Sequence, residues 1–130
     1  MPLVRIDLRR GPSAGYKKAI VDGVYQAMRE TFNVPDEDRF MVLNEHEPDG
    51  LLFSKTYMNI PRTDGFVLIQ LTINNTRSRA QKQALFARIV ALLREYPGVR
   101  EEDVMINLVP VTTEDWSFGN GIAQYVADQP

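Results

Sequence analysis

The chain resembles itself at an offset of 65 residues, which is half of its length of 130. At this offset Ser13 matches Ser78, and the pair Glu37-Asp38 matches Glu102-Asp103. One register runs unbroken through three successive segments, with further identities at Leu3/Leu68, Lys17/Lys82, Ala19/Ala84, Arg29/Arg94, Glu30/Glu95, Val34/Val99 and Leu43/Leu108. Two copies are too few for a solenoid. We therefore predict a single domain, residues 1–130, built from two repeats over about 2–65 and 66–130 with pseudo-two-fold symmetry.

Each repeat has the pattern of a strand, a helix and a second strand. The opening strand is predicted from the alternation of Val4, Ile6 and Leu8 with polar residues, and its counterpart over 66–73 is more continuously apolar. Helices are predicted after the N-cap residues Ser13 and Ser78, where apolar residues recur at helical spacing. The closing strands are predicted over 40–43 and 104–109.

These elements predict an α+β fold with α/β-like units. Each helix is long enough to connect two parallel strands by a right-handed crossover. Two such units side by side make a four-stranded mixed sheet with both helices on one face. The opposite face then carries uncovered apolar residues, and this favours an oligomer.

Two segments outside this pattern are also predicted to be strand-like. Residues 51–60 lie between turn-rich stretches, and we expect their edge to meet a neighbouring subunit. Residues 122–126 follow the turn sequence Gly119-Asn120-Gly121 and are expected to form a short pairing strand.

Composition excludes several classes of chemistry and partner. There are no cysteines, so disulfides, thiolate metal sites and a cysteine nucleophile are excluded, and the single histidine, His46, cannot build a histidine metal site alone. We expect His46 to be a hydrogen-bonded loop or strand-end residue. The net charge of -2 offers no surface for nucleic acid. Without a membrane-length apolar run or a signal-peptide pattern, the expected location is cytoplasmic.

Pro2 is the first candidate for chemistry, because removal of Met1 would make it an amino-terminal secondary amine at the start of a strand. An α-amino group ordinarily titrates near pH 8. Its surroundings decide whether such an amine acts as a neutral base, as a cation that polarises a carbonyl, or as a nucleophile. Many chains begin Met-Pro without using the proline, so Pro2 alone is a weak signal.

Arg77 and Arg79 bracket the helix start at Ser78, where cations oppose the helix dipole. They are either solvated or placed to bind a carboxylate. The first repeat has Pro12 and Ala14 at these positions and carries Pro2 where the second has Val67. Chemistry would therefore combine the start of one repeat with the arginines of the other.

Three further residues have both a structural and a functional interpretation. Asp38 matches Asp103, which favours a shared structural task such as capping over catalysis. Trp116 and Phe118 lie in a glycine-containing, polar segment and either wall a pocket or cover a sheet edge.

Taken together, these features resemble the tautomerase superfamily, and within it the branch of malonate semialdehyde decarboxylase. The resemblance spans nearly the whole chain. It rests on Pro2-Leu3, Phe32-Asn33-Val34-Pro35 with Asp38-Arg39, Asn44-Glu45-His46, Arg77-Ser78-Arg79 and Glu114-Asp115-Trp116-Ser117-Phe118-Gly119.

The resemblance implies a role for each of the candidate residues. Pro2 would be the reacting amine, and Asp38 would orient water or substrate and favour the protonated proline. Arg77 and Arg79 would hold the substrate carboxylate. The apolar wall would consist of Trp116, Phe118 and Tyr125. It also implies a homotrimer and no metal or organic cofactor.

The activity implied is that of an enzyme acting on small carboxylated oxo or enol acids, either a decarboxylase of a 3-oxo acid such as malonate semialdehyde or a keto-enol tautomerase. Dehalogenation is disfavoured because the first helix has Met28-Arg29 where a dehalogenase of the superfamily has a histidine. The alternative is a non-catalytic ligand-binding or cytokine-like module on the same trimeric fold.

Overall fold

A computed structural model describes residues 2–126 of the chain. Its strands and α-helices are β1 (Leu3–Arg9), α1 (Ala14–Phe32), β2 (Phe40–His46), β3 (Val67–Asn74), α2 (Arg79–Glu95) and β4 (Val104–Val111). Short 3-10 turns lie at Tyr57–Asn59, Glu101–Asp103 and Thr113–Asp115. No helix within residues 2–126 has the length and apolar character needed to cross a bilayer.

The strands form one mixed sheet in the order β2-β1-β3-β4. Pairing is parallel within each half and antiparallel where β1 meets β3. Leu3 pairs with Phe40 in the first half, and Leu68 pairs with Met105 in the second, so the two registers differ by the same 65 positions as the sequence. The predicted β-α-β units and four-stranded mixed sheet are confirmed.

Both helices begin where the sequence predicts. The Ser13 hydroxyl accepts a hydrogen bond from the Tyr16 amide at 3.1 Å, and the Ser78 hydroxyl accepts one from the Gln81 amide at 3.2 Å. Gln81 also accepts from the Ser78 amide at 3.0 Å and completes a capping box at α2. These bonds satisfy amides that the helix itself leaves free.

The hydrophobic core lies between the sheet and the two helices, which pack on one face of it. Its fully buried side chains include Val4, Ile6, Ile20, Val24, Met28, Ile69, Leu71, Leu85, Ile89 and Leu93. On the opposite face, Asp7 contacts the imidazole of His46 at 2.6 Å, and Gln70 donates to Asn107 at 2.8 Å. His46 is thus a hydrogen-bonded strand-end residue, as predicted.

The two additional strands predicted from the sequence are wrong for the described chain. Residues 51–60 are irregular because arginine side chains bind their carbonyl groups where a partner strand would: Arg62 donates to three of them, at 3.0 to 3.3 Å, and Arg9 donates to that of Leu51. Residues 122–126 form turns, held by the Gln124 side chain, which bonds the backbone of Phe118 and Gly119.

Candidate active site

Pro2 is buried at the start of β1 and lines a cleft. The cleft has a volume of about 240 Å³, and its other walls are Leu3, Phe40, Trp116, Ser117 and Phe118. The strand pairing places Pro2 beside the turn that leads into β2, because Leu3 lies opposite Phe40. Met1, whose removal is predicted, lies outside the described residues.

Asp38 lies in the turn between α1 and β2 and is only 8% exposed. Its Oδ1 atom has no hydrogen-bond partner among the described residues. Burial raises the pKa of the Asp38 carboxyl, while the positive charges at the amino terminus and on Arg77 act in the opposite direction. A buried carboxylate oxygen without a donor is costly, and such groups concentrate at functional sites.

Asp103, the match of Asp38 in the second half, has full hydrogen bonding. Its two carboxylate oxygens accept from the amide and the hydroxyl of Thr63, at 2.7 and 2.6 Å, and the Arg100 guanidinium lies 3.5 Å away. The turn geometry is the same in both halves: the Asp38 amide donates to Pro35, and the Asp103 amide donates to Arg100, each at 3.0 Å. The shared structural task expected for the two carboxylates is therefore found for Asp103, whereas Asp38 lacks the corresponding donors.

Arg77 is held at the site by the end of α1. Its guanidinium donates to the Phe32 carbonyl at 3.0 Å and lies 4.9 Å from the centre of the Phe32 ring. Its charge acts on both Asp38 and Tyr125. Arg79 is the first residue of α2 and is exposed, and within residues 2–126 it makes no hydrogen bond or ion pair. The structure thus brings the charge of Arg77, but not that of Arg79, near enough to act on Asp38 and Tyr125.

The predicted aromatic residues form one connected wall. Trp116 and Phe118 stack with ring centres 5.6 Å apart, and Tyr125 meets Phe118 edge-on at 5.3 Å. Burial and the negative charge of Asp38 raise the pKa of the Tyr125 hydroxyl. The structure adds Phe40, whose ring centre lies 6.3 Å from that of Phe118. The apolar character of Phe40 predicts that it belongs to a strand. Only the observed strand register places it opposite Leu3.

Asn74 is a second residue that sequence reasoning missed. It ends β3, is 8% exposed, and accepts a hydrogen bond from the Trp116 indole at 2.6 Å. Its polar side chain directly after an apolar strand is the signal that could have indicated it.

A second cleft lies at the equivalent place in the other half, with a volume of about 530 Å³. Leu51, Leu52 and Phe53 line it, each 65 positions before Trp116, Ser117 and Phe118. Leu68 and Met105 line it where Leu3 and Phe40 line the first. Among the described residues that line the second cleft there is no amine and no carboxylate, whereas Pro2 lines the first cleft.

Comparison with known proteins identifies the family of the chain. Two family models, both described as tautomerase enzymes, match residues 38–119 and residues 2–59. The chain belongs to the tautomerase family. This family member is 38% identical to a probable tautomerase, YusQ, of Bacillus subtilis strain 168, over 97% of this chain and 99% of the relative.

Solved structures give the same assignment of fold. FG41 malonate semialdehyde decarboxylase inhibited by 3-bromopropiolate superposes with a TM-score of 0.90 and 35% identity, over 95% of this chain and 94% of that one. Another malonate semialdehyde decarboxylase, studied for its decarboxylase and hydratase activities, gives 0.89 and 30%, over 95% of each chain. A fused 4-OT described as a symmetric trimer gives 0.80 at 16% identity, over 98% of this chain and 99% of that one, and shows the shared fold.

Proposed function

We propose that this tautomerase family member uses Pro2, made amino-terminal by removal of Met1, to act without a cofactor on small carboxylated oxo or enol acids. The observation that carries the proposal is the buried Asp38 carboxylate, which has an unpartnered oxygen beside Arg77 and near the chain start. An ionised carboxylate at this position stabilises a protonated amine. The same acid would orient a water molecule or a substrate hydroxyl.

Substrate binding follows from the charges and the wall of the cleft. A guanidinium pairs with a carboxylate through two hydrogen bonds, and Arg77 is already oriented by the Phe32 carbonyl. We assign the substrate carboxylate to Arg77, with Arg79 at the outer rim. Trp116, Phe118 and Tyr125 provide the apolar side, which lowers the local dielectric and strengthens these interactions.

Decarboxylation of a 3-oxo acid such as malonate semialdehyde is the reaction we favour. The bond between the carboxylate carbon and C2 breaks, carbon dioxide leaves, and the bonding electron pair moves into an enolate. The protonated Pro2 nitrogen stabilises the charge that develops on the enolate oxygen. A proton then adds to C2 and gives the aldehyde. The similarity to two malonate semialdehyde decarboxylases, at 35% and 30% identity, supports this choice.

Keto-enol tautomerisation is the second candidate, and it requires a neutral Pro2. The nitrogen would take a proton from one atom of the oxo acid and return it to another. The raised pKa of Asp38 supports this alternative, because a protonated Asp38 no longer favours the cationic proline. The 38% identity to a probable tautomerase points the same way.

We also propose that the chain acts as a homotrimer in the cytoplasm. The sheet face opposite the helices exposes Met105, which is 48% accessible in the single chain. A subunit packed on this face would bury it. The trimeric state of a fused 4-OT with the same fold supports the proposal.

The test compares the wild type with Pro2→Ala on malonate semialdehyde and phenylenolpyruvate. We expect Pro2→Ala to lower kcat/KM by about 10²- to 10⁴-fold without unfolding the protein, the range typical of a lost acid-base group. Pro61→Ala, at an exposed proline, is the matched control. Full activity of Pro2→Ala would contradict the proposal, and binding of oxo acids without turnover would favour a non-catalytic module.

Titration of the Pro2 nitrogen by NMR separates the two reactions. An α-amino group ordinarily titrates near pH 8. A pKa above that value indicates a cation at neutral pH and favours decarboxylation, whereas a value near or below neutrality favours tautomerisation.

A further inference from the structure

We infer that Asn74 is a positioning residue, whose side chain holds the Trp116 indole at the Pro2 cleft and acts on the Tyr125 hydroxyl beside it. The inference rests on the proposed function, because it assigns Asn74 a task in the same site. Nothing in the sequence pattern gave Asn74 a role.

The first contact is made by the Asn74 carbonyl oxygen. It accepts the indole N–H of Trp116 at 2.6 Å, across 42 positions of sequence. Asn74 is 8% exposed, so little water is available to replace this acceptor. An indole ring has one N–H donor and no acceptor. This hydrogen bond therefore fixes the direction in which the N–H edge of the ring points. The ring stacked on Phe118 forms one wall of the cleft.

The Asn74 side chain also acts on the Tyr125 hydroxyl. It lowers the pKa of that hydroxyl, as a hydrogen-bond donor does, against the larger upward effects of burial and of Asp38. Asparagine carries both an acceptor and two donors, so one side chain can serve an indole and a phenol together. Neither aspartate nor leucine offers that pair of functions.

The other half of the chain shows what this position does structurally. Arg9 is the match of Asn74, 65 positions earlier, and it ends β1 as Asn74 ends β3. Arg9 donates to the carbonyl of Leu51 at 3.2 Å, and Leu51 is the match of Trp116. Both residues thus hold the segment that follows the outer strand. Arg9 holds the backbone of that segment, whereas Asn74 holds the Trp116 side chain, which lines the Pro2 cleft.

The experiment uses the full-length protein and two substitutions that separate the contacts. Asn74→Leu removes the hydrogen bond from Trp116 and the effect on Tyr125 at similar size, and Asn74→Asp keeps the acceptor for Trp116 but loses the amide donor. Asn75→Ala is the matched control, because Asn75 is exposed and bonds Val111 only through its backbone amide.

Trp116 is the only tryptophan, so its indole N–H gives a single NMR resonance that reports the first contact without any assay of activity. We expect this resonance to move upfield in Asn74→Leu and to keep its position in Asn74→Asp and Asn75→Ala. For kcat/KM we expect a loss of about tenfold in both Asn74 variants, the equivalent of one hydrogen bond.

A double-mutant cycle with Tyr125→Phe tests whether Asn74 acts through the tyrosine. We expect the loss in the double variant Asn74→Leu/Tyr125→Phe to be no larger than that of the more damaging single variant. Unchanged kcat/KM and an unmoved indole resonance in Asn74→Leu would overturn the inference, as would losses that multiply in the double variant. Failure of the proposed function appears separately, as full activity of Pro2→Ala.

Discussion

Asp38 and Asp103 occupy equivalent positions in the two halves of the chain, but within the described residues only Asp103 has hydrogen-bond donors to its carboxylate. Thr63 supplies two of those donors from the segment that precedes β3. Among residues 2–126, no group donates to the buried Oδ1 atom of Asp38.

This asymmetry predicts opposite effects of the same substitution on stability at neutral pH. Asp103→Asn exchanges a charged acceptor for a neutral amide, and we expect it to lower the free energy of unfolding by about 1.5 to 3 kcal/mol. Asp38→Asn removes a desolvated charge, and we expect it to unfold at the wild-type temperature or above while losing activity. Thermal unfolding of the two variants checks both outcomes. A lower midpoint for Asp38→Asn than for Asp103→Asn would contradict the interpretation.

The pH dependence of Asp38 follows from its raised pKa. The folded state holds the proton of the Asp38 carboxyl more tightly than the unfolded chain does. The contribution of the protonated Asp38 to the stability of the fold is therefore fully present below the ordinary titration range of aspartate. It is lost as pH rises through the raised pKa. We therefore expect the stability difference between Asp38→Asn and the wild type to shrink on acidification, as measured by unfolding at a series of pH values.

The two arginines are expected to differ in their effect on substrate binding. Arg77→Ala removes the guanidinium fixed against Phe32, and we expect KM for a carboxylate substrate to rise at least about tenfold. Arg79→Ala should change KM less, because Arg79 is exposed at the start of α2. Steady-state kinetics on both variants gives the comparison. An equal or larger effect of Arg79→Ala would show that the carboxylate binds at the outer rim.

The helix caps provide a structural control for the arginines. Ser78→Ala removes the capping box between Arg77 and Arg79, and we expect a loss of about 1 kcal/mol in unfolding free energy. Ser13→Ala should cost a similar or smaller amount, because α1 has the cap without the reciprocal glutamine. Chemical denaturation measures both. Wild-type KM in Ser78→Ala would show that the arginine effect does not arise from the helix start.

Loss of Arg9 is expected to affect stability more than catalysis. Its side chain binds the carbonyls of Pro48 and Leu51, pairs with Asp64 and lies 4.8 Å from the Phe53 ring centre. We expect Arg9→Leu to lower the unfolding free energy by about 2 kcal/mol. Arg9 binds Leu51, which lines the second cleft, and Arg9 does not line the Pro2 cleft. We therefore expect kcat to stay near wild type. A kcat that falls in parallel with stability would contradict this separation of the clefts.

Local signals explain why the strands, helices and crossovers could be predicted. The apolar spacing of α1 and the serine caps act within a few residues, and the alternation in β1 reports burial on one face of a sheet. The conformations of residues 51–60 and 122–126 do not follow from local signals of this kind. Their backbone groups are satisfied by Arg62, Arg9 and Gln124, which are contacts that only the folded chain brings together.

The sequence by itself determined the repeated unit, because the offset of 65 residues preserves the apolar and capping positions that select each element. It also singled out Pro2 and the arginine pair as the differences between the halves. The tertiary structure alone decided that no residue within 2–126 donates to Asp38 Oδ1, that the Arg77 charge acts on Asp38, and that Asn74 contacts Trp116. These are long-range relationships: they depend on strand register and on the position of the chain start in space, and no local pattern encodes them.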